Sequence, residues 1–210
     1  MALISTPISE AWPIWLMLGL LLCLVLGEVL QPETLKLAFR TTFSKAERMY
    51  GDRAKNIYGL TFLNIFRVGT VAMALYVYSY HTSPFAITTF GLLMLLVIAF
   101  VGIKSVLSML VSYTFNLRKM TALYGPQYNN LWTVLCVLLY PIILLYINVP
   151  HVALLWLPVV LLVLFVVLLV IKSWQYYYAG PLSLVYLLIY IMTLELLPMG
   201  ALWFTTNSLT

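Results

Sequence analysis

The run from Leu154 to Ile171 holds no charged residue and shows no alternation of polar with apolar positions. Comparable apolar segments elsewhere, such as Trp12 to Leu30, approach the ~20 residues needed to cross about 30 Å of hydrocarbon at 1.5 Å per residue. Inside hydrocarbon every backbone N–H and C=O must be satisfied by the spanning structure itself, which leaves helices or a closed barrel. Barrel strands would appear as ~10-residue segments of alternating polarity, and these runs do not alternate. The expected fold class is therefore an all-α, polytopic transmembrane helical bundle. Composition agrees: 64% of the 210 residues are hydrophobic, 8% are charged and the mean hydropathy is +1.04, whereas an ordinary soluble domain is roughly 25% charged.

Six spans are expected, at about 12–30, 57–80, 85–115, 131–146, 152–171 and 182–204, within one integral membrane domain covering 1–210. Trp12 and Trp15 would anchor one end of the first span at the interface, and Gln31-Pro32 would end it. That segment has Glu10 before it, no basic leader and no evident small-residue cleavage site, so it reads as a retained helix. The third span is longer than a bilayer requires, and its last turns are expected to project into the cytoplasm. Pro141, Pro158 and Pro198 mark kink points in the last three spans.

Loop Lys and Arg collect on the cytoplasmic side of a membrane protein. Residues 31–56 hold Lys36, Arg40, Lys45, Arg48, Arg53 and Lys55, the connector after the third span holds Arg118 and Lys119, and the connector after the fifth begins at Lys172. The opposite connectors hold no Lys or Arg. Both termini are thus expected on the outer side, N-out and C-out. The net charge of +5 follows from this orientation bias and does not call for nucleic acid. Cys23 and Cys136 both fall within spans, where a small buried thiol is the usual state, and no disulfide is expected.

Within the cytoplasmic segment 31–56, Leu35, Phe39, Phe43, Ala46 and Tyr50 recur at helical spacing while Lys36, Arg40, Lys45 and Arg48 take other positions. An amphipathic interfacial helix is expected, with Pro32 at its start and Glu33 in its first turn. Its basic face suits anionic lipid headgroups, and its apolar face suits a lipid surface and a protein partner equally.

An ionisable residue at membrane depth is costly unless paired or hydrated, so each is a candidate site. Counting from the outer ends of the spans puts Glu195 roughly 12 to 14 Å deep, Arg67 about 20 Å, Glu28 about 24 Å and Lys104 about 28 Å. Arg67 and Glu195 are within reach of a guanidinium–carboxylate pair, with Asn64, Tyr190 and Thr193 as polar neighbours. This pair reads either as a relay for protons, ions or substrate, or as a structural link between the second and sixth spans. Glu28 and Lys104 form a second expected pair near the cytoplasmic boundary, although snorkelling is the preferred reading of Lys104. Gly19, Cys23 and Gly27 recur every fourth residue, a stripe that permits close helix approach.

The residues that most enzyme classes require are missing. Asp52 is the only aspartate and lies in the cytoplasmic segment, so no intramembrane aspartate pair can form. His81 and His151 sit in different outer connectors, without HExxH spacing or a Cys/His cluster, so no metal site is expected. A phosphate-binding loop, a dinucleotide glycine motif and a nucleophile elbow are all lacking. No histidine at depth could hold haem, and no cofactor is expected.

The C-terminal run Lys172-Ser173-Trp174-Gln175-Tyr176-Tyr177-Tyr178-Ala179-Gly180-Pro181, then Tyr186 to Tyr190 and Thr193-Leu-Glu195-Leu-Leu-Pro198, resembles the Bacteroidota membrane family catalogued as domain of unknown function 4271. The likeness extends over most of the chain. It implies a cytoplasmic (inner) membrane protein of a Gram-negative bacterium and assigns no activity, cofactor or partner. Independently, Trp174, Tyr176, Tyr177 and Tyr178 read as an interfacial belt, and Pro198 would free a carbonyl about one turn earlier, close to Glu195.

The favoured function is a non-enzymatic subunit or scaffold among inner-membrane proteins, with the lipid bilayer as its other partner. The alternatives are a small transporter or channel-like protein using Arg67 and Glu195, and, more weakly, a lipid-modifying enzyme. No internal repeat of the kind many transporters show is evident.

Overall fold

The computed structural model describes residues 12–43, 57–79, 87–114, 118–149 and 152–177. They form six helices: α1 (Trp12–Leu30), α2 (Thr34–Phe43), α3 (Ile57–Ser79), α4 (Ile87–Thr114), α5 (Arg118–Asn148) and α6 (Val152–Tyr177). The described residues are all-helical, and α1, α3, α4 and α5 each contain a stretch long and apolar enough to cross a membrane. In α6 the corresponding apolar stretch is shorter, Trp156–Lys172. The span expected at 182–204 lies outside the described residues.

Two helices are central and two peripheral. Half of the spanning stretch is buried in α3 and in α5, against 22% in α1 and in α4. The chain order explains this in part, because α3 packs on α1, α4 and α5, and α5 packs in turn on α2, α3 and α6. Residues turned outward from α1, α4 and α6 are large and apolar, among them Leu22, Leu95, Val106 and Val163. In water such a surface would be an association site; in a bilayer it is the surface that hydrocarbon solvates.

Aromatic side chains lock the bundle at two levels. Near one end, Trp12 packs against Tyr76 and Phe90 at centroid distances of 6.0 and 5.5 Å, and Tyr76 meets Phe90 edge-on at 6.1 Å. This joins α1, α3 and α4. Trp12 is thus a packing residue, while Trp15, 70% exposed, has the outward position expected of an interfacial anchor. At the other level, Tyr128 and Trp132 of α5 stack at 6.2 Å, and Phe165 of α6 closes on Trp132 at 5.2 Å.

The α1–α3 contact depends on missing side chains. A Cβ added at Gly27 would come within 2.8 Å of Leu63 Cγ, one at Gly59 within 3.1 Å of Gln31 Cβ, and one at Gly69 would overlap Leu20. Of the expected Gly19, Cys23 and Gly27 stripe, Gly27 makes the close approach, Cys23 is half-buried and Gly19 is exposed with nothing near it. Across the next interface, the Tyr140 hydroxyl donates to the Met17 carbonyl at 2.9 Å, tying α5 to α1.

Some boundaries differ from the sequence reading. Arg118 and Lys119, expected in a connector, open α5, which extends as a polar helix before its apolar stretch begins at Tyr128. Pro126 and Pro141 lie inside α5 and Pro158 inside α6 without ending either helix. Likewise α6 runs on through Trp174, Tyr176 and Tyr177.

Candidate functional site

Polar side chains from four helices meet around the start of the apolar stretch of α5. Arg67 of α3 is 4% exposed. Its Nε donates to the Leu63 carbonyl and its Nη1 to the Asn129 carbonyl, both at 3.2 Å. The first bond is local to α3; the second crosses to α5 and gives the guanidinium a fixed direction. Carbonyl oxygens have two lone pairs, so both helices can supply these acceptors without breaking their own ladders. The Asn129 carbonyl also accepts from the Thr133 hydroxyl at 2.8 Å, and the Cys136 thiol lies 3.7 Å from the Arg67 carbonyl.

Lys104 of α4, 9% exposed, brings its ammonium to 3.5 Å from the centroid of the Tyr128 ring. A cation held on an aromatic face gains roughly 0.5 to 2 kcal/mol, more as water is excluded. Tyr128 also lies within electrostatic reach of Arg67. Arg67 and Lys104 thus contact successive residues of α5, Asn129 and Tyr128, from α3 and from α4.

Helix α2 packs on α5 at the same level. Its most buried residues are Ala38, Thr41 and Thr42. They face α5, and Asn130 Nδ2 donates to Thr41 Oγ1 at 3.2 Å. Both threonine hydroxyls also donate to the Ala38 carbonyl. The expected apolar residues Leu35 and Phe39 are only half-buried, while Lys36 and Arg40 are exposed. Small residues thus dock α2 on the protein, with its bulkier apolar residues half-buried and its basic side outward. Lys45 and Arg48 lie outside the described residues.

The corner before α2 corrects one expectation. Glu33 does not sit in the first helical turn; it precedes the helix with φ 68°, a left-handed conformation uncommon outside glycine. The carboxylate that serves the helix start comes from the end of α1: Glu28 Oε2 accepts from the Leu35 N–H at 3.0 Å. The Thr34 hydroxyl donates back to the Gln31 carbonyl at 2.6 Å. A negative charge at the exposed N–H groups of a helix start is favourable, and Glu28 supplies one there.

Of the expected site residues, Arg67 is buried but Asn64, one turn away, is exposed. Glu28 and Lys104, expected as a pair, have the separate contacts just given, to Leu35 and to Tyr128. Glu195, Tyr190, Thr193 and Tyr178 lie outside the described residues. Trp174, Tyr176 and Tyr177 are within α6. The sequence reading did not single out Tyr128, Asn129, Asn130 or Thr133. Their signal was an Asn-Asn pair beside an aromatic, placed where polarity gives way to an apolar run.

Among the described residues, no three His, Cys, Asp or Glu side chains come together as a metal site. One cleft, between α3, α5 and α6, is lined by Val77, Ile143, Leu154 and Pro158 with Tyr78 and Tyr146 at its edge. Among the described residues its lining is apolar apart from the two tyrosines, without the convergent polar groups by which a pocket orients a substrate.

A family profile described as Domain of unknown function (DUF4271) matches residues 14–204. The chain belongs to the DUF4271 family. The match covers α1 from Ile14 onward and the whole of α2 to α6, so the contacts of Arg67 and Lys104 and the α1–α2 corner lie within the family's domain. No curated protein and no solved structure matches the chain. Membership in DUF4271, with its apolar helices, is compatible with a membrane protein and carries no activity.

Proposed function

We propose that this DUF4271 protein is a six-span protein of a bacterial inner membrane, N-out and C-out, acting as a non-enzymatic subunit or scaffold of a membrane complex. One observation carries the reading: polar groups that a catalytic site would aim at a substrate are engaged here by the fold. Arg67 bonds two helical carbonyls, Glu28 serves the start of α2, and Asn130 and Thr41 join α2 to α5. The one-sided distribution of Lys and Arg supports the orientation, and the family resemblance supports a Bacteroidota origin. The exposed basic side of α2 and its half-buried apolar residues support an interfacial position for that helix.

Affinity purification from native membranes in mild detergent, with mass spectrometry and an unrelated six-span control, tests this. A stoichiometric partner is the expected result. Recovery of the protein alone, in repeated preparations that preserve known complexes, would overturn it.

A second reading rests on Arg67, a cation 4% exposed within a stretch able to cross a membrane. Here Arg67 and Glu195 form part of a conduction or transport path. Glu195→Gln would then abolish flux while leaving stability and partner association intact. In a structural pair the same change would lower stability in detergent, and adding Arg67→Met would partly restore it.

A further inference from the structure

We infer that the exposed side of α2, carrying Lys36 and Arg40, is a contact surface for anionic phospholipid headgroups. The inference rests on the interfacial position given above for that helix and is independent of the subunit role. Both ends of α2 are held at one depth. Gly27 of α1 lies against Leu63 of α3, and the single guanidinium of Arg67 reaches the carbonyls of Leu63 and of Asn129 in α5. Gly27 and Asn129 are therefore level with each other across α3. Helix α2 is pinned to the residue after each of them, by Glu28 at the Leu35 N–H and by Asn130 at the Thr41 hydroxyl. It follows that α2 lies along this end of the bundle instead of projecting from it.

That end is where the apolar stretches stop. Glu28 falls in the last turn of the stretch Trp12–Leu30 and Asn130 in the first turn of Tyr128–Asn148, the boundary at which hydrocarbon gives way to headgroups. At about 100° per residue, Lys36 and Arg40 fall on the side of α2 opposite the docked Ala38, Thr41 and Thr42, and both are exposed. Half-buried Leu35 and Phe39 take a flank between the two sides, where they can meet acyl chains. One helical turn sets the Cβ atoms of Lys36 and Arg40 about 5 to 6 Å apart, so an ammonium and a guanidinium can converge on one phosphate through charge-assisted hydrogen bonds. Of the nearby carboxylates, Glu28 is engaged at Leu35 and Glu33 stands at the corner outside the helix. The chain from 31 to 56 carries six Lys and Arg against three Asp and Glu, so its overall charge suits an anionic surface. A helix fixed at headgroup depth meets lipid before it meets a soluble acidic protein, and the charge complementarity favours the lipid as occupant.

The test is native mass spectrometry of the delipidated full chain in a non-ionic detergent, titrated separately with dioleoyl phosphatidylglycerol, dioleoyl phosphatidylcholine and inorganic phosphate. A basic residue beside an anionic headgroup is worth roughly fivefold in affinity, so Lys36→Gln combined with Arg40→Gln should weaken phosphatidylglycerol binding roughly 25-fold. Phosphatidylcholine binding should not change, and the charge-keeping pair Lys36→Arg with Arg40→Lys should retain most of the preference. Equal binding of the two lipids by the unsubstituted chain, or an unchanged preference in the double glutamine variant, would overturn the inference. Displacement of the lipid by millimolar inorganic phosphate would overturn it in favour of a soluble anion. If the double glutamine variant keeps its lipid preference but loses a protein that co-purifies from native membranes, the occupant is an acidic protein surface and the inference falls. A spin label at Phe39→Cys, with Cys23 and Cys136 replaced by alanine, separates the two readings in phosphatidylglycerol vesicles. Headgroup depth is expected. A label in bulk water would overturn the interfacial position together with the inference, whereas headgroup depth with no lipid preference would overturn the inference alone.

Discussion

Replacing Gly27 or Gly19 with alanine makes the same chemical change on one helix, yet the two should differ in sign. At Gly19 nothing lies within 4 Å of the added methyl. Only the backbone effect remains there, and alanine is favoured over glycine in a helix interior by roughly 0.5 to 1 kcal/mol. At Gly27 the methyl would stand 2.8 Å from Leu63 Cγ and 3.0 Å from Leu63 Cδ2, with the Gly59 carbonyl at 3.4 Å. Carbon atoms prefer about 3.5 to 4.0 Å, so α1 and α3 must separate or Leu63 must move. Leu63 is 1% exposed, and the nearer atom is its branch point rather than a free methyl, so a rotamer change alone does not relieve the clash. Overpacking of this kind costs about 1 to 3 kcal/mol. Gly27→Ala should therefore be destabilising by up to ~2.5 kcal/mol after the helix gain is subtracted, and Gly19→Ala neutral to slightly stabilising. Reversible unfolding in mixed micelles of rising dodecyl sulfate fraction, followed by tryptophan fluorescence, measures both. If Gly27→Ala unfolds at the same fraction as Gly19→Ala, or later, close approach of α1 and α3 at Gly27 is not what holds them.

Glu28→Ala should loosen the start of α2 by about 0.5 to 2 kcal/mol, the usual cost of losing a side-chain cap, seen as faster hydrogen exchange at the Leu35 amide while α3 and α5 amides stay protected. Glu28→Gln keeps an acceptor and should show the smaller effect. Tyr140→Phe removes the hydroxyl bonded to the Met17 carbonyl, and should lower unfolding stability by about 0.6 kcal/mol, the average for hydrogen bonds between membrane helices. A cycle of Asn130→Ala and Thr41→Val should give a coupling of about 0.5 to 1 kcal/mol; zero coupling would mean that α2 docks through Ala38 packing alone.

How far the chain could be read without its fold varies by feature. The first helix, Trp12–Leu30, was bounded correctly because uninterrupted apolarity ends abruptly at Gln31-Pro32, and breaks in hydropathy are local facts. Helix α5 was read too short because its first turns are polar, and a helix that continues beyond hydrocarbon leaves no hydropathy signal. The buried charges Arg67 and Lys104 were legible, since any ionisable residue within an apolar run stands out. Their contacts were not. Side chains brought together from α3, α4 and α5 are far apart along the chain, and the reach of Lys104 to Tyr128 depends on where α4 meets α5.

The same division holds for α2 and its corner. Amphipathic spacing predicted a helix there, but pattern weights side chains by hydrophobicity, and the docked face proved to be Ala38, Thr41 and Thr42, chosen by size and hydrogen bonding. Likewise, sequence alone marked Gly19 and Gly27 as equivalent, and only the crossing of α1 with α3 distinguishes them. What the sequence determined is the solvent, the secondary structure and the approximate positions of helices and charges, because these follow from the free energy of placing local groups in hydrocarbon. The tertiary structure decided which small residues are contacts and which groups each buried cation meets, because helices surrounded by lipid sort themselves by shape and polar bonding, and the hydrophobic pattern along any one of them carries little record of that choice.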